Sequence, residues 1–122
     1  MVLKFINEQM SAIDIPYEFG EWTSEVKYPY FVGEYSEDEP TNEDGCEETT
    51  IILTGFHRGE FNTLEECKKR IKKHFDSIYG LRAETESGTI AVFYTNSFPI
   101  PSGEAALKKI QINLKVIAWK GA

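Results

Sequence analysis

The side chains able to do nucleophilic or metal chemistry are few: two cysteines, Cys46 and Cys67, and two histidines, His57 and His74. A structural zinc site needs four ligands, and these four lack the short paired spacings such sites use, so no metal is expected. A thiol beside an imidazole would make a nucleophile. Neither cysteine lies in a nucleophile-elbow sequence, however, and Cys67 falls on the apolar stripe of an expected helix, where it reads as a small buried hydrophobe. His57-Arg58, flanked by Gly55 and Gly59, has the chemistry to hold an anion and equally that of a turn or contact pair. His74, between Ile71 and Ile78, reads as a structural histidine flanking an apolar face. An EF-hand loop starting at Asp38 would place Glu43 where glycine is required, so that motif fails. With no GxGxxG or Walker sequence either, no catalytic residue and no cofactor is expected.

Carboxylates and cations are segregated. Eight acids and no basic residue lie between Glu34 and Glu48, whereas Lys68, Lys69, Arg70, Lys72 and Lys73 hold five of the thirteen cations. General acid catalysis needs a carboxylate raised in pKa by an apolar pocket, and the acidic stretch is polar throughout. Charge runs serve as solvated surface, and complementary runs on separate elements also suit head-to-tail contact between copies. Six aromatics, Phe19, Trp22, Tyr28, Tyr30, Phe31 and Tyr35, lie within seventeen residues. They suit core, contact with another chain, or base stacking, the last opposed by the adjoining acids.

The elements that must position these residues follow from periodicity. Val2, Leu3, Ile6, Met10 and Ile13 recur at helical steps and predict a helix over 2–11, broken at Pro16. Tyr17–Val26 and Tyr30–Tyr35 read as strands, with Pro29 marking an edge or bulge. Residues 36–48 read as a long exposed acidic loop. Thr49–Phe56 reads as a central strand. Asn62 and Glu65 spell a capping box opening a second helix, whose stripe Leu64, Cys67, Ile71, Phe75 and Ile78 turns the cations outward before Gly80 stops it. After a turn at Ser87-Gly88, Thr89–Phe98 is a strand, Pro99–Gly103 a rigid connection, and Ile110–Ala118 alternates cleanly as the last strand.

Strands adjacent in sequence are expected to pair as antiparallel hairpins. The fold class is α+β: one mixed, mostly antiparallel sheet with two helices packed on one face. A length of 122 residues sets one domain, 1–122, and 41% hydrophobic content is that of a folded globule. A formal charge of −7 argues against duplex nucleic acid or anionic lipid as main partner. No apolar run is long enough for a membrane span and the first residues lack signal-peptide character, so a cytosolic protein is expected.

The run Glu21-Trp-Thr-Ser-Glu-Val-Lys-Tyr-Pro-Tyr-Phe-Val-Gly-Glu-Tyr, the acidic stretch, Leu53-Thr-Gly-Phe-His-Arg-Gly and Ala91-Val-Phe-Tyr-Thr-Asn-Ser-Phe-Pro-Ile-Pro resemble small proteins from the structural modules of tailed phages and prophages of Gram-positive bacteria. The similarity spans nearly the whole chain. The element order is also similar to that of tail-terminator and head–tail joining proteins, which form hexameric rings capping the tail tube at the connector. The resemblance implies a non-enzymatic tail-completion protein. Its partners would be its own copies in a ring, the tail tube and the connector; its places, the host cytoplasm during assembly and then the virion's head–tail junction. No catalytic motif carries over. Under this reading Glu37, Asp38, Glu39, Glu43 and Asp44 face Lys68, Lys69, Lys72 and Lys73 of a neighbour, while Tyr28, Tyr30 and Phe31 supply affinity. Two alternatives stand beside it: a small acidic adaptor or inhibitor of a host protein, and an anion-binding enzyme using His57 and Arg58.

Overall fold

A computed structural model describes residues 2–37, 46–85 and 88–120. Along the chain these form α1 (Val2–Ala12), β1 (Tyr17–Phe19), β2 (Tyr30–Glu37), β3 (Cys46–Arg58), α2 (Asn62–His74), β4 (Leu81–Thr85), β5 (Gly88–Ile100) and β6 (Leu107–Lys120). The fold is mixed α+β, with one curled six-stranded sheet in the order β1-β2-β3-β6-β5-β4. A helix followed by three strands occurs twice, and the third strands of the two halves, β3 and β6, pair at the sheet centre.

Pairing is antiparallel everywhere except between β1 and β2, which run parallel. The hairpin expectation therefore fails at β1, and β3 takes β6 as its second neighbour. β3 is central as expected. Strand β4 has no counterpart in the sequence reading; it is short and alternates half-buried with exposed residues. The expected strand Tyr17–Val26 stops at Phe19. There the chain turns at Gly20 (φ +87°), and the Glu18 carboxylate accepts hydrogen bonds from the Thr23 hydroxyl at 2.6 Å and from the Thr23 and Ser24 N–H groups at 3.2 Å. Those local bonds replace a sheet ladder and hold the Glu18 carboxyl below its ordinary pKa.

The core lies on one face of the sheet. Register alignment puts Ile51 opposite Leu114, Leu53 opposite Ile112 and Val92 opposite Val116, all on the same side. Both helices close this side, Phe5, Ile6 and Met10 from α1 and Leu64, Cys67 and Ile71 from α2 joining the strand residues in one cluster. Alternation in β6 is the cause: Ile110, Ile112, Leu114 and Val116 are buried while their neighbours face outward. Helix α1 closes where Asp14 adopts a left-handed conformation (φ +55°) and the Ile15 N–H donates to the Met10 carbonyl at 3.1 Å, just before Pro16. The capping box is not formed: Asn62 is already helical, and Phe61 occupies the cap position without a side-chain bond. Nor does the apolar stripe reach Ile78, because α2 ends at His74 and Ile78 is 76% exposed. The Phe75 carbonyl instead accepts from the Tyr94 N–H at 2.9 Å, past the point where β4 pairing with β5 ends at Leu81 and Val92. Pro99 belongs to β5, opposite Ile110, so the expected rigid connection starts later than drawn from the sequence.

Candidate interaction surface

With both helices on one side, the opposite sheet face carries side chains that neither α1 nor α2 covers. Its most concentrated feature is aromatic. Tyr30 and Phe56, direct partners across β2 and β3, stack with centroids 5.0 Å apart and planes 19° from parallel. The ten-residue crossover between β1 and β2 brings Trp22 against Tyr30 at 4.7 Å, and Tyr28 lies 5.6 Å from the same ring. Cations border the row: the Lys109 ammonium sits 5.3 Å from the Phe56 centroid, and the Arg58 guanidinium 6.0 Å from that of Tyr28. Rings packed against one another in this way suit a protein contact.

Phe31, expected with Tyr28 and Tyr30 at an interface, is instead wholly buried. Strand alternation is the reason: Tyr30 points to the open face and Phe31 to the core, over Gly55. A side chain at Gly55 would stand 2.5 Å from the Phe31 ring, so glycine there is what admits the ring.

His57 and Arg58 do not converge on a shared anion position. Arg58 already has a carboxylate partner in Glu104 at 3.4 Å, and its Nε–H donates to the Tyr28 hydroxyl at 3.3 Å. The His57 Nδ1 atom is buried with no hydrogen-bond partner among the described residues. Cys67 is buried and burial raises its thiol pKa, with Arg70 opposing the shift, so the thiol stays protonated at neutral pH. Cys46 lies opposite Trp119, on the sheet side away from Cys67. Among the described residues no group of three or more His, Cys, Asp or Glu is placed to hold a metal ion.

The basic helix spends much of its charge internally. Lys68 pairs with Glu65 at 2.6 Å and Lys69 with Glu66 at 3.7 Å, while the Lys72 ammonium lies 5.5 Å from the Tyr94 centroid. Arg70 donates to the Ile13 carbonyl at 3.0 Å and ties α2 to the end of α1. Lys73 borders a cleft of about 490 Å³ between the two helices, beside Asp14, Arg70 and His74. Ion pairs within one helix turn contribute little, so a neighbouring acidic surface can exchange with them.

Of the acidic stretch, Asp38, Glu39, Glu43 and Asp44 lie outside the described residues, and Glu37 ends β2. The loop expected over 36–48 is corrected at both ends, since Ser36 and Glu37 pair with Thr50 and Thr49 and β3 begins at Cys46; residues 38–45 lie outside the described residues. Glu48 is in the strand, 3.5 Å from the Lys115 ammonium.

The chain matches no family model and no curated protein.

One surface feature escaped the sequence reading. Ile78 and Tyr79, consecutive, are 76% and 77% exposed on the turn between α2 and β4. The signal was present in Asp76-Ser-Ile-Tyr-Gly80, where Asp and Gly four residues apart spell a turn after the helix.

Proposed function

We propose that this chain is a non-enzymatic assembly protein that self-associates head to tail into a ring, acting as a tail-completion or tail-terminator subunit of a tailed phage. The observation that carries the assembly half is the one-sided cover of the sheet: both helices pack on one face, and the other holds the Trp22, Tyr28, Tyr30 and Phe56 cluster with Arg58 and Lys109 at its border. Clustered aromatics flanked by cations are the composition of protein contact surfaces. The phage half is supported by the sequence resemblance and by element order. In this reading the acidic residues Glu37, Asp38, Glu39, Glu43 and Asp44 of one copy meet Lys68, Lys69, Lys72 and Lys73 of the next, or of a connector or tube protein. They set register and association rate more than strength.

The test is sedimentation velocity over a concentration series, at low salt and again at roughly 0.5 M, where surface charge pairs are strongly screened. A ring-sized species that weakens with salt supports the proposal. A monomer at every concentration in low salt removes self-assembly, and a ring whose stability ignores both salt and the Lys69→Glu/Lys73→Glu double variant removes the electrostatic part.

A further inference from the structure

We infer that Ile78 and Tyr79 form a knob that seats in the cleft between Phe61 and the β5–β6 hairpin of a second copy of this chain. The inference rests on the ring reading above and names its contact.

Two adjacent large apolar side chains at 76% and 77% exposure gain burial free energy when another surface covers them. The backbone that carries them is fixed. The Asp76 carboxylate accepts the Ile78 N–H at 2.7 Å and the Tyr79 N–H at 3.0 Å, and the Gly80 N–H donates to the Asp76 carbonyl at 3.0 Å. Gly80 closes the turn in a left-handed conformation (φ +70°), and a side chain there would stand 2.6 Å from the Phe93 ring. A knob ordered in advance loses less entropy on docking than a flexible one.

The cleft has about 470 Å³, with Phe61, Pro99, Pro101 and Leu107 in its walls. An apolar cavity of roughly 150 Å³ accepts benzene, so this one has room for a tyrosyl ring and an isoleucyl side chain together. Its shape is set within the chain: the Ser102 hydroxyl lies 2.6 Å from the Leu107 carbonyl oxygen and accepts from the Glu104 N–H at 3.1 Å. Charge agrees as well. Lys108 and Lys109 line the cleft, the Lys108 ammonium donating to the Ala105 carbonyl at 2.8 Å and the Lys109 ammonium 5.3 Å from the Phe56 centroid, while its one acid among the described residues, Glu104, is paired with Arg58 and the knob carries the Asp76 carboxylate at its base.

Placement decides the symmetry. Phe61 opens α2 and the knob follows its end, so knob and cleft are separated by the length of a 13-residue helix, roughly 20 Å. Distinct surfaces at opposite ends of one element suit a heterologous contact, which repeats from copy to copy and closes into a ring where the rotation between copies closes.

The experiment uses the full chain. Ile78→Asp/Tyr79→Ser should leave the melting temperature unchanged, since both residues are exposed, and weaken assembly roughly thirtyfold or more, as for a hot-spot pair. A mixture of Tyr79→Cys and Pro101→Cys variants should cross-link on mild oxidation, while each variant alone does not. If wild type assembles and the Ile78/Tyr79 variant assembles equally well, the knob is overturned and the ring reading stands. Cross-linking of Tyr79→Cys to itself would overturn the cleft as the seat. A wild-type protein that stays monomeric at low salt overturns both.

Discussion

Replacing Phe31 with alanine separates core from interface. The ring is wholly buried on the helix side of the sheet, and its edge sits 2.5 Å from the position a Gly55 side chain would take. Deleting a buried phenyl group costs about 3–5 kcal/mol, from lost transfer free energy plus the cavity left behind. For 122 residues the entropy of unfolding is about 0.26 kcal/mol/K, so the melting temperature should fall by about 15 °C. Gly55→Ala alone should cost about 1–3 kcal/mol by overpacking against the same ring. In the Phe31→Ala background most of that cost should vanish, leaving the milder approach to Ile110 at 3.0 Å. The two substitutions are therefore coupled, and a cycle of urea denaturations on the four proteins measures the coupling. If Phe31→Ala lowers the melting temperature by less than about 4 °C while weakening self-association, the ring belongs to a contact surface and the placement is refuted.

Tyr17→Phe should be neutral or stabilising by about 1 kcal/mol, because the Tyr17 hydroxyl is buried without a hydrogen-bond partner among the described residues; clear destabilisation in urea would show that the hydroxyl is bonded. The same burial pushes the Tyr17 pKa up to about 12, so a spectrophotometric titration should find at least one tyrosine still protonated at pH 11. His74, 2.7 Å from the Gln9 side chain, has its pKa lowered by burial from 6.5. The folded state thus binds this proton less readily than the unfolded one: the stability contribution is complete above pH 6.5 and is lost as pH falls from there through the folded-state pKa. His74→Gln should flatten that limb, and an NMR midpoint at or above 6.5 would contradict the cause. Arg70→Ala should cost about 1 kcal/mol and speed amide exchange at the end of α1, since it removes the bond to the Ile13 carbonyl; unchanged exchange there would show that the helices are held by packing alone.

Periodicity carried the sequence reading wherever burial is one-sided. Helix α1, the alternation of β6 and the Leu64–Cys67–Ile71 stripe were legible because a face that meets the core must be apolar at 3.6- or 2-residue spacing. The mixed sheet with two helices on one side follows from those elements. Short-range chemistry was less reliable. Tyr17–Val26 has strand propensity throughout, yet Gly20 and the Glu18 carboxylate stop it at Phe19, where a side chain satisfies backbone N–H groups that a ladder would otherwise serve. The capping box at Asn62 failed because the helix opens one residue earlier, at Phe61. β4 is too short for its alternation to stand out, and it exists because β5 offers a partner edge.

By itself the sequence determined the charge segregation, the stock of reactive side chains and the faces of its long elements, since these depend on residue type and spacing alone. Only the tertiary structure decided which neighbours share a face. It sent Phe31 into the core and Tyr30 to the open side, and paired β3 with β6 across the chain. It also gave Arg58 to Glu104, and left Ile78 and Tyr79 exposed on a fixed turn. Each is a contact between residues far apart in sequence, or the consequence of where a helix ends against one, and free energy of that kind exists only once the chain has closed on itself.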